Sequence, residues 1–429
     1  MYFVFGYSVF WILFLIYLII HKREYRKFIY IIFIWTLSSI ASIIYYFAVP
    51  YNFTEIRIIP YIFLILCLLI SFYPFYTRDD SIKQISIGNE KLFNKMIIAI
   101  GIISILPFFE NLIHIISTYG ATNTDTIADV YEEKMSGDFN RSQFINWFSL
   151  PGRICNSINL KFQYCSLFLL FTYLCLSNKK KVYIILLSLC ALNPVLYQLG
   201  MSGRSTLVFL FLRSILLFFI FRCFLSTNIK RLVIKYGTII LTSSILLLSV
   251  ITLARYNNNA GANSISLLAW ISLYVGEGSL NFNNAMWDTN TFTEGDNCFS
   301  FFKSILGLDT FTDYLERRAY WGPRTGVDPV RFYTFVGDIF SDISFFVLPL
   351  LILIVYYFRK KTASKNRVSL FTMYLYYTWG YICISGITCY TLKTYQSMID
   401  LTFSLIVIYV LSRRSKHMLS IQIKKDYEK

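Results

Sequence analysis

Arginine is the residue type whose placement in this sequence most clearly suggests chemistry. Arg204 follows a short turn between two apolar stretches, and Arg255 ends a later one, so both are expected at a membrane edge. An arginine there is costly unless it is paired or reaches water. Its planar guanidinium suits bidentate capture of phosphate oxygens. A surface anchor or a salt bridge also explains any single one, but the group predicts a site for a polyanionic head group. The other arginines expected on the same side are Arg141, Arg153, Arg317, Arg318, Arg324 and Arg331.

Two carboxylates are candidates for a general base. Glu277 lies between two glycines after a short apolar segment, and Asp338 lies at the start of a long apolar stretch. A carboxylate in a partly dehydrated, arginine-rich cleft can accept a proton or orient a sugar hydroxyl. The competing interpretations are a salt bridge to a nearby arginine for Glu277 and a helix N-terminal cap for Asp338.

Aromatic side chains near these residues have two interpretations. They fit the aromatic belts that line membrane interfaces, and they are also candidates for stacking on sugar rings. Tyr274 lies three residues before Glu277 and is a further candidate for substrate contact. The others to test are Trp147, Trp270, Trp287, Tyr320 and Trp321.

Metal, nucleotide and nucleic-acid chemistry are not indicated. The three His and nine Cys form no cluster with metal-ligand spacing. The chain has neither a phosphate-binding P-loop nor the nucleophile elbow of a hydrolase. We therefore expect no metal and no cofactor. The net charge of +16 comes from basic clusters at regular intervals, which argues against a nucleic-acid partner.

Long apolar stretches must position all of these residues. Of the 429 residues, 56% are apolar and only 15% are charged, against roughly a quarter charged in soluble proteins. Eleven stretches are long enough to cross a bilayer of ~30 Å as helices. The predicted fold is an all-α polytopic membrane protein. The predicted spans are 2–20, 28–48, 58–77, 92–116, 160–176, 182–200, 205–222, 232–254, 333–358, 368–388 and 395–411.

Charge sets the predicted orientation. Clusters of Lys and Arg occupy every second gap between the spans, and such clusters stay on the cytoplasmic side. The N-terminus is therefore expected outside and the C-terminus in the cytoplasm. A single transmembrane domain, 1–429, would carry two large outer loops, 117–159 and 255–332. The short apolar segments 264–275 and 299–306 predict interfacial or re-entrant helices in the second loop, which we expect to cap the outer mouth.

Four features of the sequence together resemble the bacterial oligosaccharide repeat-unit polymerases, the O-antigen and capsular polysaccharide polymerases of the Wzy superfamily. They are the turn Ser202-Gly203-Arg204, the arginine Arg255, the segment 274–283 (YVGEGSLNFN) and the segment 331–338 (RFYTFVGD). The resemblance covers the architecture of most of the chain, and its motifs are concentrated in residues 200–345.

This resemblance implies a membrane glycosyltransferase (GT-C-like) fold at the outer face of the bacterial inner membrane. Its substrate would be an oligosaccharide linked to undecaprenyl pyrophosphate. Arg204 and Arg255 would bind the pyrophosphate, together with Arg324 or Arg331. Glu277 or Asp338 would be catalytic. Arg141 and Gly152 match an R-x10-G element of the family. Arg153, Arg318 and Tyr274 are further candidates for substrate contact.

Two other functions stay open from the sequence. One is an O-antigen ligase, although the outer-loop histidine of the ligases has no counterpart in the chain. The other is a flippase or transporter of the same lipid-linked oligosaccharide, although we find no internal repeat of the kind that transporters show. The sequence also leaves open whether a chain-length regulator is a partner.

Overall fold

The chain is mainly α-helical in a computed structural model. The described residues are all except 54, 122–146, 202, 259–264, 329–330, 364–365, 414–418 and 424–429. The α-helices are α1 (Tyr2–His21), α2 (Arg26–Ala48), α3 (Ile58–Phe72), α4 (Glu90–Ala121), α5 (Leu150–Lys161), α6 (Ser166–Leu174), α7 (Lys181–Gly200), α8 (Ser205–Phe221), α9 (Thr227–Asn258), α10 (Leu267–Asn284), α11 (Ser300–Ile305), α12 (Tyr314–Thr325), α13 (Thr334–Ile343), α14 (Val347–Phe358), α15 (Leu370–Ser385) and α16 (Tyr395–Ser412). The strands are β1 (Gln84–Ile87), β2 (Arg367–Ser369) and β3 (Leu419–Gln422).

Membrane-spanning length and composition are found in eight helical segments of the described chain. They are α1, α2, α3 with its following turn, α4, α7, α8, the pair α13 and α14, and α16. This confirms the predicted helical membrane protein. The other three predicted spans fall on α6, α9 and α15, so the count of eleven stays a prediction.

The backbone divides into two compact units. The first contains Met1–Ile82, Ile265–Asn366 and Leu375–Ile399, and the second contains Lys83–Ser264, Arg367–Tyr374 and Asp400–Lys429. The predicted single transmembrane domain stays a prediction, and each unit is described by itself below.

In the first unit, α10 packs tightly on α2. A Cβ built on Gly276 would lie 2.3 Å from the backbone nitrogen of Ser42, and Ser38 donates a hydrogen bond of 2.7 Å to the carbonyl of Val275. This helix begins where the sequence predicts an interfacial segment, but it continues to Asn284, so Glu277 lies inside a helix. Glycine is a poor helix former. Here its lack of a side chain allows the two backbones to approach, and packing outweighs propensity.

The predicted span 333–358 is interrupted in the first unit. Helix α13 ends at Ile343, a 3₁₀ turn covers Ser344–Phe346, and α14 begins at Val347. Ser344 has a φ of 54°, a left-handed conformation that a non-glycine residue rarely adopts. The break therefore separates the amphipathic helix α13, which carries Asp338 and Asp342, from the apolar helix α14.

A small three-stranded sheet in the second unit was not predicted. Its order is β2-β1-β3, with β1 parallel to β2 and antiparallel to β3. Strand β1 lies in the gap after the third predicted span and β3 in the C-terminal segment, while β2 covers the end of the gap after the ninth span and the first two residues of the predicted tenth. The orientation predicted for these segments stays a prediction.

Four buried asparagines join α4, α5 and α7 in the second unit. Asn111 donates to Asn193, and Asn193 donates to both Asn156 and Asn159, each over 2.9 Å. Trp147 donates a further hydrogen bond of 3.1 Å to Asn111. Amide side chains commonly join apolar helices in this way, so this network stabilises the helical packing.

Candidate functional site

A cleft in the first unit brings charged and aromatic side chains together. Its cavity volume is about 60 Å³. This is room for a slim substituent such as a carboxylate, but not for a sugar ring, which would have to stay outside. The polar and aromatic groups at its wall include Arg317, Arg318, Trp321, Tyr333, Asp338 and Lys393.

Asp338 lies at the wall of this cleft and is 2% exposed. Its carboxylate accepts hydrogen bonds from the backbone nitrogen of Tyr390 (2.6 Å) and from Nζ of Lys393 (3.3 Å). Asn297 donates to it as well, over 3.3 Å. Burial opposes the charge on Lys393, but Asp338 and other neighbours outweigh it and raise the pKa of Lys393 above its ordinary value. Asp338 therefore does not cap its own helix, but holds the loop after α15 against α13.

Two neighbouring arginines on α12 lie at the cleft. Arg317 is 7% exposed, and its Nη1 donates to the carbonyls of Asp296, Asn297 and Lys393 over 3.0 to 3.2 Å. Arg318 is exposed and makes no hydrogen bond or ion pair with a described residue. The sequence predicts Arg318 as a substrate contact, and the structure does place it at a cleft.

Two acidic residues fix the loop around Asn297, which lies at the wall of the cleft. Asp296 accepts from Nζ of Lys303 (2.6 Å) and from Nε1 of Trp321 (2.9 Å). Asp342 accepts from the backbone nitrogens of Asn297 (2.9 Å) and Cys298 (2.6 Å). Sequence reasoning missed Asp296 and Lys393 as parts of the site, because neither belongs to a motif and their partners are distant in the chain.

Glu277 and Arg331 form a second polar group in the first unit. Arg331 Nη1 lies 3.8 Å from Glu277 Oε1, and Arg331 Nε lies 3.6 Å from a carboxylate oxygen of Asp328. Burial raises the pKa of Glu277 above its ordinary value, although the Asn281 side chain and Arg331 oppose this shift. The predicted pairing of Glu277 with a nearby arginine is confirmed. A buried carboxylate with a raised pKa is a stronger base than an exposed one.

Tyr333 connects these two groups. It lies at the wall of the cleft, and its hydroxyl donates a hydrogen bond of 2.8 Å to the carbonyl of Asp328, the residue whose carboxylate pairs with Arg331. Tyr274 stands beside the same region, with its ring 6.2 Å from that of Phe332. The sequence-predicted acids are therefore neighbours of one aromatic-lined region.

The remaining predicted arginines have separate surroundings. Arg324 is exposed, with its guanidinium 3.6 Å from the centre of the Tyr320 ring. In the second unit, Arg204 is half-buried and donates a hydrogen bond of 2.8 Å to Thr252, while Arg153 is exposed on α5. Two predictions lie outside the described residues or side chains, namely Arg141 and the side chain of Arg255. The predicted convergence of Arg204 and Arg255 with Arg324 and Arg331 stays a prediction.

Gly152, the glycine of the R-x10-G match, has a local structural explanation. A Cβ at this position would lie 1.7 Å from Oε2 of Glu110. That carboxylate also accepts a hydrogen bond of 2.5 Å from Ser149, the N-cap of α5. An acidic group is favourable at a helix N-terminus, so Gly152 makes room for Glu110.

The candidate tryptophans separate into one cleft residue and several packing residues. Trp321 lies at the cleft. Trp147 stacks on His114 with ring centres 4.0 Å apart, and Trp287 stacks on Phe340 at 5.8 Å. Trp321 is therefore the candidate that the structure best presents to a sugar.

Within the described ranges, no group of three or more His, Cys, Asp and Glu side chains could hold a metal ion. No family model, no curated protein and no solved structure matches the chain.

Proposed function

We propose that the protein is a glycosyltransferase that joins oligosaccharide repeat units carried on undecaprenyl pyrophosphate into a surface polysaccharide, an O-antigen or a capsule. It would act at the outer face of a bacterial inner membrane, with its N-terminus outside and its C-terminus in the cytoplasm. The observation that carries the proposal is the cleft in the first unit. Cations, a tryptophan and a buried carboxylate line it. Its wall residue Tyr333 bonds to Asp328, which pairs with Arg331, and Arg331 lies 3.8 Å from the buried base candidate Glu277.

Glu277 is the better candidate of the two for the general base. Asp338 already accepts hydrogen bonds from Tyr390, Asn297 and Lys393, so few of its lone pairs remain for a substrate proton. Glu277 is buried beside Arg331 at 3.8 Å, and burial raises its pKa although the Asn281 side chain, Arg331 and the backbone of Phe332 oppose this shift. We therefore assign proton transfer to Glu277 and a positioning role to Asp338.

The reaction we propose is a single displacement at the anomeric carbon of the donor. The acceptor hydroxyl gives its proton to Glu277 as its oxygen forms the new glycosidic bond. The bond to the pyrophosphate oxygen breaks, and the lipid pyrophosphate leaves with the electron pair. Arginine stabilises such a leaving group, and removing one donor of this kind costs ~3 kcal/mol. Arg204, Arg255, Arg324 and Arg331 are the proposed donors.

Chain elongation by the purified protein tests this function. Protein in nanodiscs is incubated with lipid-pyrophosphate-linked repeat units from the source organism, and the glycans are separated by length. The parent should lengthen them. Glu277→Gln should slow elongation by about 10²-fold or more, and Arg204→Ala should slow it by about 10²-fold. Arg57→Gln is the control, because Arg57 is an exposed residue paired with Glu55 and Asp288. Unchanged elongation in both test variants would refute the assigned roles.

One observation favours a transporter as a second candidate. The helix break at Ser344–Phe346 separates an amphipathic helix with two buried acids, Asp338 and Asp342, from an apolar helix. Transporters often carry their polar sites on interrupted helices. The same repeat units, placed on one side of sealed vesicles, separate the two functions: a flippase moves them across without lengthening them. A ligase would instead transfer the glycan to a different acceptor lipid.

A further inference from the structure

No acid in the described chain forms an ion pair with Arg317, whose guanidinium lies 5.3 Å from the centre of the Tyr314 ring. This guanidinium is 7% exposed, yet its hydrogen bonds run to three backbone carbonyls, all from Nη1. Its Nε and Nη2 donate to no described residue. A buried cation without a carboxylate partner is costly, so this position favours a bound anion.

The neighbouring cations strengthen this argument. The cleft wall holds Arg317, Arg318 and Lys393 but, among the residues at its wall, the single acid Asp338, which lies 3.3 Å from Lys393. Arg318 makes no ion pair with a described residue. Two positive charges therefore remain for a ligand, one almost buried and one at the open mouth.

We propose that this cleft recognises an anionic group on a saccharide, a carboxylate or a phosphate, through Arg317 and Arg318. The narrow interior admits a slim group such as a carboxylate, while Trp321 at the wall can face the sugar ring. The inference rests on the proposed function and names its substrate class: the repeat unit carries an acidic sugar or a phosphate substituent. Arg318 is the specificity-determining residue at the mouth, and Arg317 is the buried partner.

The test measures binding of small probes and needs no turnover. Saturation-transfer difference NMR on the protein in nanodiscs compares methyl glucuronide, glucose 1-phosphate, inorganic phosphate and neutral methyl glucoside. We expect one of the two anionic sugars to bind at least about tenfold more tightly than the neutral one. A preference for the glucuronide identifies an acidic sugar, and a preference for the sugar phosphate identifies a phosphate substituent. Binding of phosphate alone as tightly as either sugar would overturn the saccharide assignment.

Variants localise the effect. Arg318→Gln should weaken binding of the preferred anion about tenfold and leave binding of the neutral sugar unchanged. Because Arg318 is exposed, this substitution should not disturb the fold. Arg317→Lys keeps the charge and should retain part of the preference. Arg57→Gln removes the same charge from an exposed, salt-bridged residue and should have no effect. Equal binding of neutral and anionic sugars, no detectable anion binding, or an unaffected Arg318→Gln variant would overturn the inference. Elongation activity is measured separately, so the polymerase proposal survives or fails independently.

Discussion

Replacement of Asp338 by Asn tests whether this carboxylate holds the loop after α15. The change removes the charge that faces Lys393 at 3.3 Å, while the amide oxygen can still accept from the backbone of Tyr390. Breaking a buried ion pair from one side costs about 3–5 kcal/mol. The Lys393 side chain is 17% exposed, so water offsets part of the loss. We therefore expect a loss of about 3 kcal/mol in the free energy of unfolding.

A double variant separates the lost pair from other effects. Asp338→Asn with Lys393→Met removes both charges, and replacing a buried pair by neutral groups is often close to neutral. We expect the double variant to recover most of the loss, to within about 1–2 kcal/mol of the parent. Asp328→Asn is the matched control, because Asp328 is 51% exposed in its pair with Arg331 and should contribute less than about 1 kcal/mol.

The assay is reversible unfolding in mixed micelles, followed by tryptophan fluorescence. The pKa of Lys393 is raised in the folded state, so its contribution is present below its ordinary value of 10.5 and is lost only as the pH rises through the folded-state pKa. The difference between parent and Asp338→Asn should therefore stay constant across neutral pH. A single variant as stable as the parent, or a double variant less stable than either single one, would show that the pair does not hold this loop.

Two further predictions concern α10. Burial raises the pKa of Glu277 above 4.5, so the neutral acid stabilises the fold at low pH and this contribution is lost as the pH rises through the folded-state pKa. The rate of elongation should accordingly fall as the pH drops through that raised pKa. At pH 7 the Glu277→Gln variant should be at least as stable as the parent. A less stable variant would contradict the argument that burial disfavours the charge on Glu277. Gly276→Ala should destabilise the protein by about 1–3 kcal/mol, because the new methyl group would meet the backbone of α2. Thermal unfolding compares the stability of Gly276→Ala with that of the control Gly6→Ala, where a Cβ meets nothing within 4 Å. Equal stability of these two variants would count against close packing of α10 on α2.

The helices were largely predictable from the sequence because the apolar stretches are long and nearly free of charge. The interruption at Ser344 was not, since Ser344–Phe346 continues the apolar pattern and only tertiary packing fixes the left-handed residue. The course of α10 was missed for the opposite reason. The two glycines around Glu277 indicate a loop by propensity, yet Gly276 lets α10 approach the backbone of α2, and Gly278 lets it approach the carbonyl of Ile387.

The candidate site was predictable in its residue types rather than in its partners. Glu277, Asp338 and Arg318 were identified from the sequence, and the structure places Asp338 and Arg318 at one cleft. Lys393 and Asp296 were not, because Lys393 pairs with a residue 55 positions away and Asp296 bonds to Trp321, 25 positions away, as well as to the nearer Lys303. Such pairs depend on how the loops fold against each other, and no local pattern encodes that.

The three-stranded sheet imposes an order on biosynthesis. Strand β1 emerges from the ribosome after the third helix, but its parallel partner follows only at Arg367–Ser369 and its antiparallel partner at Leu419–Gln422. Neither ladder can form until nearly all helices have been synthesised, so the sheet closes as one of the last events of assembly. A nascent chain that stops before Leu419 leaves one side of β1 without a partner, and a quality-control protease could recognise that incomplete edge.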